Sequence, residues 1–223
     1  MPRIARIVAI DYPHHIIQRG NNRQPVFFDT TDRELYLGLL RKYAKGSGCK
    51  IKAYCLMDNH IHLLLVPQHT NSLAKTMQKL SLSYTQYINK KYERTGRLWE
   101  CRFFSSLVDV DTYLWSVCRY IERNPVRARL VDGPIKYKWS SAKFNTSLGH
   151  KDNFIEPIWN DYLNREDYVE FLNRPETESE ISRIRQSTLK GIPIGREEFI
   201  REITRKLGFS INTRPKGRPR KEK

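Results

Sequence analysis

Residues 49–57, CKIKAYCLM, alternate with period two, and HIHLLLVP follows after the polar pair Asp58-Asn59. That pattern predicts a β-hairpin, two strands joined by a tight turn, with the second ended by Pro67. HHIIQR (14–19) reads as an earlier strand running into a polar loop, GNNRQ. Between them Tyr36, Leu39, Leu40 and Tyr43 recur at helical spacing, with a capping box expected at Thr31-Asp32-Arg33-Glu34 and an end near Gly46-Ser47-Gly48. Ser72 is placed to cap a second helix. Its apolar stripe is Leu73, Met77, Leu80, Tyr84 and Ile88, and its other faces carry Lys75, Lys79, Lys90 and Lys91. RLWECRFFSSLVD (97–109) reads as a loop entering a strand. Asp111 is then expected to cap a third helix with Leu114, Val117, Cys118 and Ile121 facing the core. Asn124-Pro125 ends that helix, because a residue before proline avoids helical angles.

The first six of these elements run strand, helix, strand, strand, helix, strand. They predict an α+β fold, a ferredoxin-like βαββαβ antiparallel sheet with helices on one face. The expected organisation is a sheet-and-helix domain over 1–145, then an acidic linker with short helices over 146–194. A small basic helical extension, expected to bind DNA, and a disordered tail occupy 195–223.

Charge narrows the function. Lys and Arg number 40 against 24 Asp and Glu, a formal +16, and such a surface attracts polyanions, nucleic acid first among them. Cys49, Cys55, Cys101 and Cys118 form no Cys-x-x-Cys pair and sit in apolar stretches, which argues against a disulfide framework or a zinc knuckle. The start, MPRIARIVAID, lacks the apolar core and cleavage site of a secretory signal. The longest aliphatic run, Leu63 to Val66, is too short to span a bilayer. The expectation is a cytoplasmic protein with no membrane partner.

Two groups of residues could carry chemistry. His60 and His62, at i and i+2 on a strand, point to one face roughly 7 Å apart along it, where both can meet one divalent cation. Ile61, Leu63 and Leu65 then face the core. A plainer alternative has one histidine capping the turn and the other satisfied within a half-buried strand. On the third helix Tyr113, Tyr120 and Asn124 share one stripe on the flank of the apolar face. Taken singly these also fit structural roles: Asn124 as N-cap of a next helix, PVRARLV, and either tyrosine as packing with its hydroxyl in water.

Together the two groups resemble a known family. The stretches QRGNNRQPVFF, LMDNHIHLLLVP and GRLWECRFFSSLVDVDTYLWSVCRYIERNPVRARLV look like those of single-tyrosine HUH transposases, in which U is any hydrophobic residue. Among these the chain is most similar to REP-associated tyrosine transposases, over roughly residues 10–145. The resemblance implies that His60 and His62 are metal ligands, that Tyr120 is the nucleophile, and that Asn124 supplies a third ligand oxygen where relatives often have Gln. Tyr113 stands as a second choice of nucleophile. Two imidazoles and an amide oxygen suit Mg²⁺ or Mn²⁺. The implied activity is cleavage and rejoining of single-stranded DNA near hairpins, through a 5′-phosphotyrosine and a free 3′-OH. One phosphodiester replaces another, so no ATP is required, and the chain has no Walker-type Gly-rich loop.

DNA contacts are expected from Arg19, Asn21, Asn22 and Arg23 on the first loop, and from Arg97 and Arg102 beside Trp99 and Phe103. Cations next to rings suit single strands, although both rings can equally be core. Arg218, in PKGRPR near the end, lies in a segment resembling an AT-hook, with non-specific phosphate binding as the plainer role. The expected partner is single-stranded or hairpin DNA, bound by a monomer or a homodimer. The alternatives are a DNA-binding regulator on a transposase scaffold, a rolling-circle initiator or relaxase, and a nuclease that uses water in place of Tyr120.

Overall fold

The computed structural model describes residues 6–147, 154–159 and 164–209. Four strands make one sheet: β1 (His14–Arg19), β2 (Cys49–Met57), β3 (His60–Pro67) and β4 (Phe104–Leu107). Their order is β2-β3-β1-β4 with every pairing antiparallel, as the βαββαβ pattern requires. The crossover helices α1 (Thr30–Ser47) and α2 (Ser72–Lys91) lie on one face. There Tyr36, Leu40, Leu73, Met77, Leu80 and Tyr84 bury Ile16, Ile61, Leu63 and Leu65.

The other face is covered as well. α3 (Val110–Glu122) lays Leu114, Val117, Cys118 and Ile121 on Ala53, Cys55 and Leu64, as its stripe predicts. After a break at Arg123 come α4 (Asn124–Arg127) and, further on, α5 (Ala142–Thr146). α6 (Arg165–Asn173) and α7 (Glu178–Lys190) lie within the stretch expected to be a linker, and both are packed. Tyr168, Leu172 and Ile184 are buried in the same cluster as α3. The acidic run is matched to the basic helices: Glu176 pairs with Arg123 at 2.9 Å and with Arg127, and Glu180 pairs with Arg119 at 2.8 Å. α8 (Glu197–Leu207), in the basic extension, packs Ile203 and Phe199 against Ala9 and Leu107.

Several local expectations shift. The capping carboxylate lies earlier than predicted on two helices. Asp29 caps α1 in a box with Asp32, and Asp109 caps α3 by accepting from Asp111 N–H. A carboxylate on extended backbone reaches back to the open amides of the first turn, which Thr31 and Asp111, already inside their helices, cannot do. Ser72 is the first residue of α2, and its hydroxyl accepts from the His69 amide. In β2 a register shift between Ile51 and Ala53 changes the phase of the alternation. Cys49 and Ile51 therefore share a face with Tyr54 and Leu56.

Both long edges of the sheet meet further chain. Beside β4, Val108 bridges Ile194, with Ile194 N–H donating to Leu107 O at 2.7 Å and Asp109 N–H to Ile194 O at 2.8 Å. Beside β2, Leu56 N–H donates to Trp139 O at 2.9 Å and Glu156 N–H to Ile51 O at 2.8 Å.

Candidate active site

Three loops gather at the end of the sheet where β3 begins. Register places Arg19, the last residue of β1, opposite His60. The next residue, Gly20, donates to Asn59 O at 2.8 Å and bridges Trp99, which ties the first loop both to the β2–β3 turn and to the 97–102 loop. Only glycine fits there, since a Cβ would lie 2.2 Å from Gln24 O.

His60 and His62 point to the α3 face, with ring centroids 5.1 Å apart. His60 is half-buried, and its Nδ1 sits 2.7 Å from Asn59 Oδ1. Burial, then the charges of Arg19 and Arg127, lower its pKa to about 4. His62 is buried, and desolvation followed by the nearby His60, His15 and Arg127 holds it well below the usual range. Both imidazoles are therefore neutral at physiological pH, with lone pairs available to a cation. Among the described residues no three His, Cys, Asp or Glu side chains group as a metal cage. A cation on this pair would thus need other oxygens, and a neutral imidazole pair with an open remainder fits a metal that works on a phosphate substrate.

Tyr120 is brought to the same place. Its ring meets His62 and His15, each at 5.6 Å between centroids and nearly edge-on. The side chain is 5% exposed, and burial raises its pKa, with Arg127 and Arg185 pulling the other way. Arg127 lies over the ring with its guanidinium 4.3 Å from the centroid, and donates to Tyr120 O at 2.5 Å. Glu176 holds that guanidinium in place. Tyr113 is separated from this group. It lies under Arg183 at 4.8 Å and makes no ring contact with a histidine among the described residues.

Asn124 begins α4, half-buried, one turn beyond Tyr120. The N-cap of α4 is Arg123, so Asn124 does not take the capping role open to it from sequence, and its side chain makes no hydrogen bond among the described residues.

Sequence reasoning missed three residues. His15 is fully buried beside His62, with Nε2 3.0 Å from His62 Nδ1, and its Nδ1 is 2.8 Å from Thr188 Oγ1. Arg127 had been visible only as one of many basic residues. The signal for His15 was a polar residue in phase with Ile17, but only the pairing of Ile17 with His62 shows what it faces.

The expected DNA contacts divide. Arg19 forms an ion pair with Glu100 at 2.8 Å. Asn21, Asn22 and Arg23 form one exposed turn, with Asn22 and Arg23 at positive φ, and Asn59 Nδ2 donates to Arg23 O at 3.2 Å. Exposed Arg97 and Arg102 line an open cleft of about 280 Å³ with Trp99, Glu100 and Cys101. Trp99, although it borders the cleft, and Phe103 are both buried in the α1/α2 core, so packing accounts for both rings. Arg218 lies outside the described residues.

The fold has a solved counterpart. The fold matches a structure of a REP-associated tyrosine transposase bound to a REP hairpin, with a TM-score of 0.58 at 14% identity, over 73% of this chain and 96% of that one. The profile of the family described as "Transposase IS200 like" matches residues 9–124, and the chain belongs to that family. It is also 29% identical over 100 residues to a Haemophilus influenzae protein named "Putative REP-associated tyrosine transposase". That alignment covers 40% of this chain and 56% of the other, so the chain spans little more than half the length of this curated relative. No helix among the described residues is long and apolar enough to cross a membrane.

Proposed function

We propose that this chain is a metal-dependent transesterase that cuts and rejoins single-stranded DNA near hairpins through a 5′-phosphotyrosine on Tyr120. The observation that carries the proposal is the contact of the Tyr120 ring with His62, one strand position pair away from His60. In the forward step the Tyr120 oxygen bonds to phosphorus while the bond from phosphorus to the 3′ oxygen breaks. The phenolic proton passes to that oxygen through solvent, leaving a 3′-OH. Rejoining is the reverse, with a 3′-OH attacking and Tyr120 leaving, so bond energy is conserved.

His60 and His62 would hold the cation, Mg²⁺ or Mn²⁺, with Asn124 contributing its amide oxygen. The bound ion supplies Lewis-acid neutralisation of a non-bridging phosphate oxygen. A phenol with a pKa of about 10 is a weak nucleophile at neutral pH. Burial makes Tyr120 weaker still, and the Arg127 guanidinium favours the phenolate as attack proceeds. Arg97, Arg102 and the Asn21–Arg23 turn, at the His60 end of the sheet, would take the phosphates of the incoming strand. The structurally similar transposase was bound to a REP hairpin, which supports a hairpin as the substrate class.

The test is a denaturing gel of hairpin-bearing single-stranded DNA, labelled at each end in turn, after incubation with the protein and Mn²⁺ or Mg²⁺. The label downstream of the cut should stay on the wild-type protein. Tyr120→Phe should lower adduct formation by about 10⁴-fold or more. Cleavage that persists in Tyr120→Phe would point to water as nucleophile. Tight binding with no adduct would point to a regulator.

A further inference from the structure

The buried end of the site contains a hydrogen-bond chain that metal ligation and nucleophilic attack do not by themselves account for. Thr188 is fully buried on α7, and its hydroxyl donates to the Ile184 carbonyl at 2.9 Å. A hydroxyl has one proton to give. The same oxygen must therefore accept from His15 Nδ1, 2.8 Å away. His15, protonated on Nδ1, is bare on Nε2, and that nitrogen lies 3.0 Å from His62 Nδ1. So His62 donates from Nδ1 and keeps its lone pair on Nε2.

Ring geometry agrees with this. The His15 and His62 rings are 11° from parallel with centroids 5.2 Å apart, close to the widest spacing that a 3.0 Å bond between ring nitrogens permits. The bond therefore runs in the planes of both rings, where an N–H and a lone pair point. Opposite polarity would put the His62 proton on Nε2 and remove the one lone pair of that ring not turned towards His15. The chain ends on a backbone carbonyl, which only accepts, so donation runs from His62 to His15 to Thr188 to Ile184.

We infer that His15 and Thr188 are positioning residues that lock His62 in the tautomer able to ligate a divalent cation. The inference rests on the proposed metal role of His60 and His62. Neither residue touches the reacting atoms. Their effect is to fix the ring and its lone pair, as hydrogen-bonded partners behind a metal-bound histidine do. Thr188 is itself well anchored. Gly191 closes α7 in the left-handed conformation, and the chain returns at once to β4, where Ser106 Oγ donates to Ile192 O and Ile194 pairs with Leu107. A helix more than a hundred residues from the His-x-His motif thereby becomes part of the metal site.

The experiment uses the full chain and Mn²⁺ alone. Free Mn²⁺ is titrated by its electron spin resonance signal in wild type, Thr188→Val and Thr188→Ser. Two-bond ¹H–¹⁵N correlation of histidine-labelled protein without metal reads the tautomer directly. His62 should be protonated on Nδ1 in wild type. Thr188→Val should weaken Mn²⁺ binding by about 10- to 100-fold, and Thr188→Ser should restore it. Unchanged Mn²⁺ affinity in Thr188→Val, with only a lower melting temperature, would reduce Thr188 to packing and overturn the inference. A wild-type His62 protonated on Nε2 would overturn it too, with no metal involved. Wild type that binds no Mn²⁺ would instead strike the proposed metal chemistry, and the tautomer spectrum would still decide the hydrogen-bond chain.

Discussion

The two faces of β3 are built on different principles. Towards α1 and α2, Ile61, Leu63 and Leu65 meet an almost wholly apolar layer, closed over by Tyr36, Leu40, Leu80 and Tyr84. Towards α3 and α7, His62 stands among His15, Tyr120 and Thr188. The same layer also encloses Glu122, whose carboxylate accepts from Ser141, Asn145 and Tyr168. One strand thus supplies burial on one side and placed polar groups on the other. The apolar face needs only volume and pattern to be right. The polar face needs each donor matched to an acceptor, because a buried polar group left unpaired is costly.

Crossing substitutions on neighbouring residues gives the largest separation. His60→Ala should lower cleavage by about 10³-fold while leaving the unfolding midpoint nearly unchanged, since His60 is only half-buried. Leu63→Ala should cost about 3 kcal/mol of stability, yet leave cleavage per folded molecule near wild type below its melting temperature. Urea unfolding beside single-turnover cleavage reads both. If each variant lost both properties in equal measure, the division between faces would fail.

A second, smaller effect concerns pH. Burial lifts the Glu122 carboxyl from 4.5 to about 6, with its three hydrogen bonds opposing that rise. Between those values the folded state holds a proton that the unfolded chain has lost, so this group's contribution to stability falls as pH rises through the window. The shift corresponds to about 2 kcal/mol. His14 works the other way. Burial lowers it to about 4, against its bonds to backbone, so its contribution is present above 6.5 and is lost as pH falls. Relative to Glu122→Gln, wild type should therefore gain about 1 kcal/mol between pH 6 and pH 4.5, even while both proteins lose stability through their histidines. Urea curves with parallel pH dependence would show that Glu122 does not titrate in that window.

The smallest effect is at the cleft. Arg102→Ala should weaken single-stranded DNA binding a few-fold and reduce the slope of log affinity against log salt by about 0.7, the share of one phosphate contact. An unchanged slope would remove Arg102 from the DNA path.

What could be read from sequence follows the same division. The stripe of α3 and the alternation of β3 were visible because burial leaves a period, and Leu114, Val117, Ile61 and Leu63 all lie where that period puts them. His60, His62 and Tyr120 emerged from motif resemblance, and the fold brings them together. His15 and Thr188 could not be found this way. Their meaning lies in a strand register and in a helix far along the chain, and neither leaves a local pattern. Glu176 and Glu180 looked like linker charge because composition records sign and not partner. Trp99 and Phe103 read equally well as core or as stacking platforms, since an aromatic residue beside arginine looks the same in either role.

The strips of chain beside the sheet have a further consequence. An open outer strand offers a row of free amides and carbonyls, a template on which another polypeptide can add itself. Here the 192–194 return takes up hydrogen bonds beside β4, and Trp139 and Glu156 do so beside β2. Both margins of the sheet are thus guarded against unwanted strand addition. If two copies of this chain work as a pair, their contact should be made through helices and loops, because the sheet has little room left to grow.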